Sequence, residues 1–139
     1  KNYMRYANEY PLIGKALRSI ADRAVPCLVH CVNGKDRTGV VCAVIMRIAG
    51  FGHDEIFDEY LAHNKLYSAD IQMEEDELGV GMTQDERKIL RSFIEARPSY
   101  LDAFFKEALS TFGSFDAYVE NGLHLSKGQR ESLCKLMNG

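Results

Sequence analysis

The 139-residue sequence has no tryptophan, only three prolines and no low-complexity tract. Those absences exclude a disordered or collagen-like chain. Neither sign of charge dominates: 17 basic residues stand against 20 acidic ones, a net charge of −3. A mildly acidic chain carries no electrostatic footprint for duplex DNA or anionic lipid, so no nucleic acid and no integral membrane contact is expected. Long hydrophobic runs are missing as well. The longest, Val40 to Met46, is ended by Arg47 and falls far short of the roughly 20 residues of a membrane span. The four cysteines, Cys27, Cys31, Cys42 and Cys134, form no C-x-x-C pair, and no paired-histidine spacing accompanies them. That argues against zinc and against a secreted disulfide scaffold, which would be denser in cysteine. The expectation is a set of reduced, mostly buried thiols, with no metal and no cofactor.

What is present is mainly helical. The length suggests one domain. Leu12, Ile13, Ala16, Leu17, Ile20, Ala21 and Ala24 recur on one face, predicting a helix from about Tyr10 to Arg23. Thr38 to Ala49 is apolar almost all round and belongs in the interior. His53 to Asn64 carries Ile56, Phe57, Tyr60 and Leu61 on one face. Thr83-x-x-Glu86, Ser99-x-x-Asp102 and Ser126-x-x-Gln129 read as helix-opening caps, and Gly113 as a helix stop. Ser114 opens a short helix ending near Gly122. The stretch from Leu66 to Met82, with Glu74-Glu-Asp-Glu77 and Gly79-Val-Gly81, reads as a solvated loop or frayed helix. The sharper alternative is a mobile lid, because glycine hinges flank an apolar pair.

Val25-Pro-Cys-Leu-Val-His-Cys31 is short, apolar and rich in β-formers, and is expected to be a buried strand. A lone strand cannot satisfy its backbone. Further strands are therefore expected from an N-terminal part absent here or from another chain. The first residue is Lys1, consistent with a chain that begins partway through a longer product. Cytoplasmic and secreted-effector locations are both compatible with it.

The chemistry concentrates in His30-Cys31-Val32-Asn33-Gly34-Lys35-Asp36-Arg37-Thr38. Its order is strand, cysteine, five-residue loop, arginine, apolar helix. The five residues between Cys31 and Arg37 can curl so that their N–H groups converge, making a nest for a tetrahedral oxyanion. The helix that follows points its positive end at the same spot. Arg37 offers a planar two-pronged donor matched to phosphate. Gly34 allows a backbone dihedral that a β-carbon would block. The same surroundings favour a thiolate at Cys31, since helix N-termini and cations bring a thiol from about 8.5 down to roughly 3.5–7.5. His30 reads as a hydrogen bonder that orients the loop. Cys27, Cys42 and Cys134 fit the role of small buried hydrophobes.

His-Cys-x-x-Gly-Lys-Asp-Arg-Thr-Gly resembles the phosphate loop of the Cys-dependent protein tyrosine phosphatase superfamily. The Gly34-Lys35-Asp36-Arg37 form is similar to a bacterial branch that includes mycobacterial protein tyrosine phosphatase B. Supporting likenesses are Glu59-Tyr-Leu61 with Asn64, Arg97-Pro-Ser-Tyr-Leu101, Phe112-Gly-Ser-Phe-Asp-Ala-Tyr118 and Gly122-Leu. The resemblance implies an α/β fold, a central sheet flanked by helices. This chain, residues 1–139, would be the C-terminal portion of one phosphatase catalytic domain, mostly helical with one strand before the phosphate loop. It implies hydrolysis of phosphate monoesters, chiefly protein phosphotyrosine, through a phosphocysteine intermediate. Phosphoserine, phosphothreonine or phosphoinositides are added substrates under the same likeness.

Within that likeness Cys31 attacks phosphorus while Arg37 and the amides of Val32 to Thr38 hold the phosphate oxygens. Thr38 eases the departure of the thiolate. Asp36 has two readings, general acid and structural carboxylate bracing the loop. Lys35 also has two, contact to a second phosphate and a solvent-facing lysine. Val32 and Asn33 stand where the family often keeps smaller residues, so Asn33 alters the pocket's shape. Two other classes compete: a non-catalytic phosphate-binding pseudophosphatase, and a Cys-based arsenate reductase using Cys27 or Cys42 as resolving thiols.

Overall fold

The structure, a computed structural model, describes residues 3–23 and 25–138. Among them nine α-helices and one π-helical turn follow one another: α1 Tyr3–Asn8, α2 Tyr10–Arg23, α3 Asp36–Ile48, α4 His53–Leu66, α5 Ser68–Leu78, α6 Gln84–Ile94, α7 Pro98–Phe112, α8 Phe115–Ala117, the π turn Tyr118–Gly122, and α9 Lys127–Asn138. Ala24, counted with the α2 face, lies outside the described residues.

The apolar helix α3 sits where its composition requires. It buries Val40, Ala43, Val44, Ile45 and Met46 and packs against α2, α4 and α9. Leu17 of α2, Leu101 and Phe104 of α7, Tyr118, Leu123, and Leu133 of α9 are fully buried around it. Burial of each such side chain contributes about 1.5–3 kcal/mol, so this cluster holds the helices together. Gly39 sets the distance between α3 and α4. A β-carbon there would lie 2.8 Å from the Tyr60 ring.

Two expected caps form as read. Thr83 N–H donates to Glu86 at 2.7 Å and Glu86 N–H to Thr83 Oγ1 at 3.3 Å. Ser126 and Gln129 exchange the same pair at 3.0 and 3.2 Å. The third does not form. Helix α7 opens with Pro98 at its first turn after Arg97, because proline's fixed φ and missing N–H suit that position. Gly113 closes α7 at φ +82°.

Two expectations about secondary structure are corrected. The central-sheet α/β architecture is not what the chain adopts: there is no strand and no sheet among the described residues, and Val25–Cys31 is neither strand nor helix. The physical reason is pairing. β-propensity marks a segment as fit for a ladder, but a strand exists only with a partner, and no other described segment pairs with this one. Leu28 is 86% exposed as a result. The second correction concerns residues 66–82. Most of that stretch is an ordered helix, α5, which buries Ile71 and Glu75 against α6. Arg91 Nη1 meets Glu75 at 2.6 Å and Arg87 meets Asp76 at 3.3 Å, so the acidic run is neutralised in part by α6.

Candidate active site

Cys31 stands at the end of the irregular segment, where the chain turns through Val32–Lys35 into α3. Gly34 has φ +64°, the left-handed conformation that glycine adopts without strain, and this lets the loop fold back over the sulfur. Burial raises the Cys31 thiol. Against it act the Thr38 hydroxyl and the backbone N–H groups of Thr38, Gly34 and Asn33, which together bring it down to about 7. Hydrogen bonds to the charged form outweigh desolvation here. Thr38 Oγ1 is buried and makes no hydrogen bond of standard geometry; its electrostatic effect falls on the Cys31 thiol.

The sulfur faces a cavity of about 490 Å³. One wall is the loop, from His30 to Gly34. The other comes from the end of α4, with His63 and Tyr67, and from α5, with Asp70, Ile71 and Glu74. His63 and Tyr67 stack with ring centroids 4.8 Å apart. His30 Nδ1 lies 3.4 Å from the Cys31 carbonyl oxygen and is exposed.

The remaining residues singled out in the sequence are placed as follows. Val32 and Asn33 line the cavity beside Cys31. Lys35 does not. Its side chain is buried, and Nζ donates to the carbonyls of Phe93, Ile94 and Glu95 at 2.7, 2.5 and 3.4 Å. These are the orphan acceptors at the C-terminal end of α6, where a cation is favoured. Asp36 begins α3. Its Oδ1 accepts from the Tyr3 hydroxyl at 2.5 Å and lies 3.9 Å from Lys35 Nζ. Arg37 is exposed and lines a separate, smaller cavity with Tyr6, Leu12 and Ile13 of α1 and α2. The loop thus brings Cys31, Asn33, Gly34 and Thr38 together and leaves Lys35 and the Arg37 guanidinium outside that group.

Sequence reasoning missed two features. One is a buried tyrosine network: the Tyr3 and Tyr60 hydroxyls lie 2.8 Å apart, and Tyr3 stacks on Tyr100 at 5.3 Å. Burial and the hydrogen bond to Asp36 push the Tyr3 hydroxyl far up, and burial chiefly raises Tyr60 to about 12. Both stay protonated as donors. A tyrosine on a core face needs a hydroxyl partner, which was the available signal for Tyr60. The other is the α5 wall, where Asp70, Ile71 and Glu74 share one helical face by spacing. Asn64 adds a clamp. It exchanges two 2.7 Å hydrogen bonds with the backbone of Ala96, tying α4 to the connection between α6 and α7.

Comparisons with known proteins point to one family. A profile of the tyrosine phosphatase family matches residues 1–138. Over 106 residues the chain is 30% identical to a Cupriavidus necator protein provisionally named a tyrosine-protein phosphatase, covering 73% of this chain and 37% of that protein. Over 105 residues it is 27% identical to the triple specificity protein phosphatase PtpB of Mycobacterium tuberculosis, covering 69% and 38% respectively. The chain therefore spans less than two fifths of the length of these curated relatives.

Proposed function

This chain belongs to the tyrosine phosphatase family, and from that premise we propose that it hydrolyses phosphotyrosine through a covalent phosphocysteine at Cys31. The observation that supports it is a sulfur held near pKa 7 by a hydroxyl and three amide N–H groups, facing an open cavity. The thiolate attacks phosphorus. The S–P bond forms as the P–O bond to the aryl group breaks, and the aryl oxygen leaves with a proton from an acid or from water. Water then attacks the phosphocysteine, releasing inorganic phosphate and restoring the thiolate. The amides of Asn33, Gly34 and Thr38 first hold the thiolate and then the phosphate oxygens. Arg37 is exposed and no ion pair holds it among the described residues, so its guanidinium is free to turn onto a bound phosphate as a two-pronged donor.

Asp36 is better suited to bracing than to acid catalysis. Its carboxylate is engaged by the Tyr3 hydroxyl, and that bond ties the start of α3 to α1. Leaving groups separate the two roles. Asp36→Asn as a lost brace slows good and poor aryl leaving groups alike. As a lost acid it slows the poor ones far more.

The arsenate reductase reading loses ground. Cys27 and Cys42 line another cavity, which Cys31 does not border, and burial first of all raises the Cys42 thiol. The pseudophosphatase reading is tested directly. Aryl phosphate turnover, sensitive to vanadate, is expected from the isolated chain. Cys31→Ser is expected to abolish it by at least about 10⁴-fold while phosphate binding persists. Absence of turnover in the parent chain with phosphate binding intact would establish the non-catalytic reading instead.

A further inference from the structure

Three observations bear on which phosphotyrosine substrates the Cys31 cavity accepts. Lys35, the cation of the loop, is 2% exposed and engaged by three carbonyls of α6, so it cannot answer a second phosphate without uncapping that helix. The wall opposite the loop is acidic, carrying Asp70 and Glu74. Their neighbours Glu75 and Asp76 on the same helix pair with Arg91 and Arg87. Asp70 and Glu74, which border the cavity, pair with no cation among the described residues. The same wall carries Tyr67, half-exposed and stacked on His63, an aromatic surface against which a phenyl ring can lie.

The charges at this site therefore divide by position. The amide nest around Cys31 attracts one phosphate at the floor. Any second anion higher in the cavity meets two unneutralised carboxylates, and a cation there finds partners. We infer that Asp70 and Glu74 are specificity-determining residues. They select a phosphotyrosine peptide with arginine or lysine beside the phosphotyrosine, and they reject substrates carrying a second phosphate, such as inositol polyphosphate headgroups. This inference rests on the phosphatase reading and narrows it to one substrate class.

The test compares kcat/KM for two phosphotyrosine peptides of equal length, one flanked by arginine and one by glutamate, with a soluble short-chain phosphatidylinositol bisphosphate as a third substrate. At low salt the arginine peptide is expected to exceed the glutamate peptide by about tenfold or more, the scale of two charge contacts in a partly screened site. The ratio should fall towards one near 1 M salt, where the Debye length is about 3 Å. In the double variant Asp70→Asn, Glu74→Gln the ratio should drop to within about twofold of one; because it is internal to each protein, any general loss of activity cancels. A ratio of one or below in the parent chain, a ratio indifferent to salt and to the double variant, or a bisphosphate lipid turned over as well as the arginine peptide would overturn it. The Cys31→Ser protein supplies an arm that needs no turnover, its affinity for the same two peptides. If the parent chain hydrolyses no aryl phosphate, the phosphatase reading fails on its own, and equal affinities in this arm overturn the charge preference separately.

Discussion

Two cavities of the same size, each about 490 Å³, hold cysteines eleven residues apart and treat them in opposite ways. Cys31 is bordered by loop amides and a hydroxyl, and its thiol is drawn down to about 7. Cys42, in the second turn of α3, lines a cavity of Ile20, Ile45, Met46, Leu133 and other apolar side chains, and burial pushes its thiol up, with Glu59 and Cys27 adding to the shift. Volume and residue type are therefore not what makes a reactive site. Donors aimed at the sulfur are, and here they come from the short turn where Gly34 reverses the chain. The comparison predicts that Cys31 reacts with iodoacetamide at pH 7 at least about tenfold faster than Cys42. About half of the Cys31 thiol is ionised at that pH, whereas burial keeps the Cys42 thiol protonated. Mass-spectrometric rates at the two sites measure this directly. Equal rates would break the comparison.

The next largest effect concerns what holds the reactive turn in place. Lys35 Nζ satisfies carbonyls that have no other acceptor role once α6 ends. Lys35→Met removes the donor and leaves buried carbonyls unpaired, a loss of about 2–3 kcal/mol, read as a lower denaturant midpoint. Phosphate binding at Cys31 should weaken in the same variant, while the reactivity of Cys42 stays where it was. An unchanged midpoint would mean that the loop is fixed by its own backbone alone.

How much of this was legible beforehand follows the same division between local and distant causes. The left-handed turn at Gly34 and the caps at Thr83 and Ser126 depend on residues within eight positions of one another, and their spacing reveals them. The fate of Val25–Cys31 depends on a partner segment that its own sequence cannot specify, so β-propensity alone misread it. Local sequence offers Lys35 only substrate or solvent, because the carbonyls it reaches lie 58 to 60 residues away. Local sequence leaves Asp36 between two roles because its donor, Tyr3, comes from 33 residues upstream. Residues 66–82 looked loop-like from their charge run, and the counter-charges that steady the helix sit on α6.

Thr38 permits a finer cut within the reactive site itself. Its hydroxyl is the foremost of the groups that lower the Cys31 thiol, and Thr38→Val keeps the shape while removing that donor. On the proposed phosphocysteine mechanism the thiolate is the active form, so kcat/KM of the parent chain should rise with pH through about 7 and fall on the acid side. In Thr38→Val the rising limb should shift to higher pH by roughly one unit, equivalent to about 1.4 kcal/mol. The sign follows from linkage. A thiol depressed in the folded state contributes stability above its ordinary value, and that contribution is lost as pH falls through about 7. The variant's stability should accordingly depend less on pH between about 7 and 9. A limb that does not move would assign the whole shift to the amides.

The smallest effect is expected at the other cysteine, and its smallness is the point. Cys42 meets apolar neighbours, and in a helix interior valine holds one strongly preferred rotamer of similar bulk. Cys42→Val should change stability by less than about 1 kcal/mol and leave aryl phosphate turnover within about twofold of the parent. Cys42→Ser is sharper, because a hydroxyl buried without a partner costs about 1–3 kcal/mol, while the turnover number of the folded fraction stays the same. Should either variant lower turnover as far as Thr38→Val does, the two cavities would be coupled through α3, and the separation between a reactive and an inert thiol would no longer hold.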